Sequence, residues 1–431
     1  MAEKKDNKEY KVGGAGSVFI LLMLFLLYAM NYADRAILSV ALEPIKKALS
    51  LTDTQAGLLQ SVFLLGVALL TIPASMLVER WSRRKSIAIM GIVWSIATYA
   101  TGLCTNFAQM AIARFTVGVG EAGYVTGGVG WLSLSFPKEV RSRIIGIFTT
   151  GIQVGTALGL IVGGIIITQT QDWRSPFVVF AIPGVILGII AFFLPDYKTI
   201  KQQGEAFFSK SYFSSWGSLF KIRSFYIDII GQCFMFFVLL AFLSWMPAML
   251  MRIYKMTPAT AGLTYGLVGL IAIVAAPLGG FIADKWQKRN KNGRPFFIAT
   301  SSILYGVFSV AMVAALSYPV EWFIVMAIVQ FIFANMLLPV SLTIRTDVTP
   351  ANLRTTAYGI GTFITFIVGG TLGPASVGII SDTLGGGASG LQTALFCIIP
   401  AALICAIVYF ILAKYYNSDS AKINDSVLSE K

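Results

Sequence analysis

The chain has 431 residues, 56% of them hydrophobic, and a mean hydropathy of +0.76. A soluble domain is usually about 45–50% apolar, so the composition implies a polytopic membrane protein. The net charge of +13 and the absence of histidine exclude more. The basic excess sorts by topology and does not imply nucleic acid, while the commonest proton shuttle and metal ligand are missing.

In chain order, residues 1–16 form a polar tail carrying Lys4, Lys5, Lys8 and Lys11. Apolar runs then predict six spans over 17–195, at 17–42, 54–78, 86–104, 107–134, 143–168 and 175–195. A basic linker, 196–224, follows. Six more spans are predicted over 225–413, at 225–250, 259–283, 295–317, 322–344, 355–380 and 392–413, before a second tail at 414–431. The first run is too long for a signal-peptide core and lacks a small-residue cleavage site, so it is expected to stay as an anchor. With the N-terminus in the cytoplasm, only Lys46, Lys47, Arg174, Arg252 and Lys255 of the 33 basic residues fall outside, and Arg35 and Arg114 fall within the membrane. That bias predicts cytoplasmic termini and linker, as expected of a bacterial inner-membrane protein. Cys104, Cys233, Cys397 and Cys405 lie in apolar spans without metal-ligand spacing, so neither a metal nor a cofactor is expected.

The deep charges single out two predicted helices. Span 1 carries Asn31-Tyr-Ala-Asp34-Arg35, and span 4 carries Arg114-Phe-Thr-Val-Gly118-Val-Gly120-Glu121-Ala-Gly-Tyr124. On a helix, positions 114, 118 and 121 share one face, with Arg114 and Glu121 about 10 Å apart along it. Ionisable groups at bilayer depth cost at least ~2.5–3.5 kcal/mol and persist where they meet a partner or a water-filled cavity. Asp34 and Arg114 lie at matching depth, so the expectation is that they pair and leave Arg35 and Glu121 uncommitted. Asp34 and Glu121 are the candidate proton carriers. Arg35 and Arg114 are the candidate anion anchors, because guanidinium matches carboxylate or phosphate geometry.

Two stretches recur in the same order. Glu79-Arg-Trp-Ser-Arg83-Arg84 follows span 2, and Asp284-Lys285-Trp-Gln-Lys288-Arg289 follows span 8. Pro137 to Arg141, before span 5, likewise matches Pro350 to Arg354, before span 11. The sequence therefore reads as two six-helix halves related by an internal repeat. Glu79, Arg83, Asp284 and Lys285 are candidate gate residues. When the cytoplasmic side is closed, each acid is expected to meet a helix start from the opposite half, near Thr355 for Glu79 and Ser142 for Asp284.

Glu79 to Arg84 and Gly280 to Arg289 resemble the paired cytoplasmic motif of the major facilitator superfamily. Arg114-x-x-x-Gly118-x-Gly120 resembles that superfamily's fourth-helix motif. Asn31-Tyr-x-Asp34-Arg35 and Gly120-Glu121-Ala122 are similar both to spinster-like transporters and to anion:cation symporters of sugar acids. Trp245-Met-Pro, Thr257 to Gly262 and Leu372 to Asp382 favour the spinster-like group. The resemblance implies an all-α membrane protein of twelve transmembrane helices with the facilitator fold.

Glycines at 151, 155, 159 and 163 predict close packing of span 5, and Gln153 there is a candidate cavity lining. The second half shows no deep charge, only Gln232, Ser244, Trp245, Tyr265, Gln330, Asn335 and Tyr358. Asn31, Tyr124, Gln153, Trp245, Asn335 and Tyr358 join the arginines as candidate substrate contacts. The expected protein is a monomeric secondary transporter that moves an anionic or amphipathic organic solute, such as a sugar acid or a lysolipid, by alternating access with protons. A channel would need a polar lining through both halves, and the missing histidines leave no Ser-His or Cys-His set for an enzyme.

Overall fold

The computed structural model describes residues 14–195, 216–350 and 353–429. The tail 1–13 and most of the linker, 196–215, lie outside the described residues. All regular elements among the described residues are helical. The first group comprises α1 (Ala15–Leu49), α2 (Asp53–Arg80), α3 (Arg83–Leu103), α4 (Phe107–Glu121), α5 (Tyr124–Ser135), α6 (Lys138–Thr149), α7 (Gly151–Thr170) and α8 (Ser175–Ala191). The second comprises α9 (Arg223–Ile253), α10 (Pro258–Gly269), α11 (Ala272–Arg289), α12 (Gly293–Ala315), α13 (Val320–Asp347) and α14 (Arg354–Thr365). A π-helical turn (Phe366–Gly370), α15 (Thr371–Thr383), α16 (Gly387–Ile398) and α17 (Pro400–Ser429) complete it.

Ten stretches are long and apolar enough to cross a membrane, and Ser175–Ala191 is a shorter apolar helix. The expected span 107–134 is interrupted. Its helix stops at Glu121 and restarts at Tyr124, and at the break the backbone of Gly123 lies so close to α2 and α3 that a Cβ there would come within 2.6 Å of Met90 and 2.9 Å of Ala74. Helix starts follow side-chain chemistry. Thr52 and Gln55 form a reciprocal capping box on α2, and Asn106 accepts from the Gln109 amide at 3.0 Å to start α4. At the far end the helix runs on through 414–429, most of the second tail. Asp419 on that extension accepts from the Ser224 amide (3.0 Å) and hydroxyl (2.8 Å), capping α9.

The glycine stripe of α7 lies against α1, as its spacing predicts. A Cβ at Gly155 would sit 2.2 Å from the Ala29 carbonyl oxygen, and one at Gly159 would sit 2.3 Å from that of Ala33. The two groups meet along a seam at the end that carries the α1–α2 turn. There α2 packs on α15, α7 packs on α10, and α1 reaches α9. The opposite end is carried by α5, α6 and α11, which make no comparable packing across the seam among the described residues. Tyr358 on α14 is 45% exposed on that side.

A buried charge cluster beneath a clamped seam

Four charges from α1 and α4 converge around Phe63 of α2. Arg35 Nε donates to Glu121 Oε2 at 2.7 Å, and its guanidinium stacks 4.4 Å from the Tyr32 ring and 5.2 Å from the Phe63 ring. Arg114 is fully buried, with its guanidinium 4.9 Å from the Phe63 ring. Its Nε, Nη1 and Nη2 have no hydrogen-bond partner among the described residues. Glu121 and Asp34 act on it only through space. Asp34 turns to α3, where its Oδ2 accepts from Thr98 Oγ1 at 3.2 Å while Oδ1 has no partner. Asn31 is buried beside the Glu121 carboxylate but outside hydrogen-bonding geometry.

The expected Asp34–Arg114 pair is therefore not formed. Arg35 and Glu121 are the bonded pair, while Arg114 and Asp34 stand alone. Matching depth did not decide partners, because adjacent positions on a helix point about 100° apart. Arg35 faces α2 and α4, whereas Asp34 faces α3. Gly118 makes the arrangement possible: a Cβ there would sit 2.2 Å from the Phe63 carbonyl oxygen, so α4 lies directly on α2.

Above the cluster, a second set of charges closes the seam. Arg252 of α9 donates to Glu43 Oε1 of α1 from Nε (2.8 Å) and Nη2 (2.5 Å). It also donates to both oxygens of Asp53 at the start of α2, at 2.9 and 2.5 Å. Lys46 donates to the same Asp53, and Ser381 Oγ adds a bond at 2.6 Å. Asp382 of α15 then accepts from the Asp53 and Thr54 amides at 3.0 and 2.7 Å. One group thus caps a helix of the other, where the amide ends attract a carboxylate.

A third cluster is buried within the second group. Asp228 accepts from Arg345 Nε and Nη2 (3.0 and 2.8 Å), Ser341 Oγ (2.7 Å) and Tyr409 OH (2.8 Å). Gln232 accepts from Arg345 Nη2 at 2.6 Å and from Thr365 at 3.1 Å, just before the π turn. The second half therefore does carry buried charge, contrary to expectation. The signal was present in the spacing: Asp228 and Gln232, and Ser341 and Arg345, are each four apart and share a helix face.

Residues 24–292 match the family model described as the Major Facilitator Superfamily. The chain belongs to that superfamily. Among its relatives, this facilitator is 27% identical over 391 residues to the Xenopus laevis protein spinster homolog 1, covering 85% of this chain and 73% of that protein. It is 26% identical over 379 residues to a hexuronate transporter of Bacillus subtilis, covering 85% and 88%. Its fold matches a bacterial homolog of the human lysosomal transporter Spinster, solved inward-facing and unoccupied, with a TM-score of 0.80 at 23% identity and coverage of 94% and 99%. The facilitator is an integral membrane protein of a transporter superfamily, and it is similar to spinster proteins and to sugar-acid transporters alike.

The structure separates the remaining candidates of this facilitator. Tyr124 is fully buried in an aromatic cluster with Tyr28, Trp94 and Phe148, and it donates to the Leu24 carbonyl at 2.5 Å, so it does not offer a substrate contact. Trp245 is also fully buried, and its Nε1 donates to the Pro374 carbonyl at 3.0 Å to brace α9 against α15. Asn335 donates to its own helix at Phe331 (2.9 Å), while Gln153 is half-buried on α7. Tyr358 is exposed and lies within electrostatic reach of Tyr32 from the first group. Arg35 keeps a side-chain exposure of 15%, so the cluster is not fully sealed.

At the open end, Asp284 pairs with Arg294 of its own group at 2.8 Å, and Arg294 continues to Asp347 at 2.6 Å. It is not placed against the first group. Arg83 is half-buried and Lys285 is exposed. The side chains of Glu79, Ser142 and Thr355 lie outside the described residues. The clamp residues Glu43, Asp53, Arg252 and Asp382 were not singled out from sequence. Arg252 stood out there only as a cation on the wrong side.

Proposed function

We propose that this facilitator is a secondary active transporter that moves an organic anion together with protons, by alternating access. Its twelve spans would rock as two halves, 17–195 and 225–413, in a bacterial inner membrane with both termini cytoplasmic. The clamped end is then external, and the structure is inward-open.

The observation that carries this reading is Arg114, a fully buried guanidinium with three unpartnered nitrogens beside a bonded Arg35–Glu121 pair. A buried cation without a bonded partner costs several kcal/mol, so an anion that completes it is strongly favoured. Protonating Glu121 releases Arg35, and two guanidinium groups then face one site that is not fully sealed. Loading an anion and loading a proton support each other, which is what coupling requires. Asp34 holds the second carboxylate within reach and takes the proton if Glu121 re-pairs. Tyr32, Phe63 and Tyr358 offer aromatic surface to a neutral or apolar body.

The relation to a hexuronate transporter supports a carboxylate head and favours a sugar acid as the narrower form of this reading. The relation to spinster proteins supports a larger amphipathic body. Proteoliposome uptake across a panel of glucuronate, succinate, a bile-acid anion and a lysophospholipid tests the class. Uptake driven by a pH gradient for at least one anion, abolished in Glu121→Gln, is the expected result. Gradient-independent uptake in both proteins removes proton coupling.

A further inference from the structure

Four of the five cations that break the inside bias of the sequence, Lys46, Lys47, Arg252 and Lys255, line a single cavity of about 930 Å³ at the clamped end. Lys46 and Arg252 are committed to Glu43 and Asp53. Lys47 and Lys255 are exposed and have no carboxylate within ion-pair distance among the described residues. Glu43, the one acid in the lining, is already taken by Arg252. Asp172, just beyond the rim, faces Arg174.

The backbone around this cavity is also unusual. Lys255 (φ 54°) and Gln171 (φ 56°) line it in the left-handed region, and Ser50 (φ 51°) follows the Lys46–Ala48 wall. They are the non-glycine residues with positive φ among the described residues, and Gly387 of the wall has a φ of 70°. Such conformations are costly and gather where function holds them. Ser50 and Gln171 have a simpler account as helix C-caps, and Lys46, Lys47 and Arg252 also offset negative helix ends. That account does not explain why free lysines from α1 and from the α9–α10 connection face the same cavity as the clamp.

We propose that this vestibule is an external anion site that releases the clamp. A small dianion held by Lys47 and Lys255 stands beside Arg252 and Lys46 and competes with Glu43 and Asp53 for them. As the carboxylates of α1 and α2 lose their cation, the seam between the groups loosens. The ligand class is a carboxylate- or phosphate-bearing dianion small enough for the cavity. The inference rests on the alternating-access reading and its assignment of sides, but not on which solute occupies the central cluster.

The test uses spin labels at Gln169 and Ser389, exposed positions on either side of the mouth, in nanodiscs. The protein carries Arg35→Gln, which weakens the central anion site, and the vestibule's own share of the response is the part that Lys47→Gln and Lys255→Gln remove. Sodium succinate and sodium phosphate are each titrated against sodium chloride at equal ionic strength. Either dianion is expected to raise the long-distance population roughly threefold or more. The rise should disappear with Lys47→Gln and Lys255→Gln, and return with Lys47→Arg and Lys255→Arg. A response to succinate alone assigns a carboxylate site, and one to phosphate alone a phosphate site. An equal response to chloride means general screening and overturns the proposal, as does no response or one that survives the double Gln variant. A vestibule response alongside failed pH-gradient uptake in the parent protein would refute proton-coupled transport and leave this site standing.

Discussion

Replacing Arg252 with Gln should shift the protein toward the state that opens the clamped end. The parent side chain is 9% exposed and donates to Glu43 and Asp53, which are 13% and 1% exposed. Breaking a buried ion pair costs about 3–5 kcal/mol when the abandoned partner is left bare. Here Asp53 keeps Lys46 and Ser381, and Glu43 has some access to water. Roughly half that figure is therefore appropriate, about 1.5–2.5 kcal/mol by the same reasoning. At about 1.4 kcal/mol per factor of ten, the ratio of outward- to inward-open molecules should rise roughly 10- to 60-fold. Double electron–electron resonance between labels at Gln169 and Ser389 reads this ratio, with the four cysteines replaced. Lys46→Gln removes one contact from a partner that retains others and should give a much smaller shift. If Arg252→Gln leaves the distance distribution unchanged, the ion pairs hold local structure only and the clamp is not a gate.

Other outcomes follow from the same geometry. Asp34→Asn should leave Arg35 and Glu121 paired, and so should cost less stability than Glu121→Gln in a thermal-unfolding series. Arg35→Lys keeps the charge but loses the two-pronged donor, so anion affinity should fall by about tenfold or more while the melting temperature holds; ligand-dependent thermal shift measures both. Asp228→Asn strands Arg345 in the second group and should destabilise by about 3–5 kcal/mol. Tyr409→Phe removes the hydroxyl that bonds Asp228 (2.8 Å) and Ser341 (3.0 Å) in the same network and should cost about 1–3 kcal/mol; chemical unfolding in detergent ranks the two. Gly159→Ala drives a methyl into the Ala33 carbonyl and should destabilise by about 1–3 kcal/mol.

The architecture was legible because it rests on local chemistry. Long apolar runs mark the helices, and the four-residue glycine spacing marks α7 as a helix that packs closely. The charge pairing was misread because a sequence gives depth along a helix more readily than direction around it. Asp34 and Arg35 differ by one residue, and that residue sends them to different neighbours. Asp228 sits near the start of its predicted span and Arg345 just past the end of its own, where charges ordinarily reach water. Packing of α9, α13, α14 and α17 buries them instead. The clamp joins Glu43, Asp53, Arg252 and Asp382 across far-separated parts of the chain, and no local pattern brings them together. The break after Glu121 lies where Gly123 meets Met90 and Ala74, a contact that exists only in the packed helices.

The central claim is that an anion and a proton share the Arg35–Arg114–Glu121 cluster. It is tested most directly by counting protons in proteoliposomes that contain a trapped pH dye. Adding the best-bound anion of the panel to the parent protein should move protons across the membrane with the solute. Glu121→Gln should still bind that anion, with thermal stabilisation at least as large as the parent's because Arg35 is already released, but should move no protons. Proton movement in Glu121→Gln that matches the parent's would contradict the account.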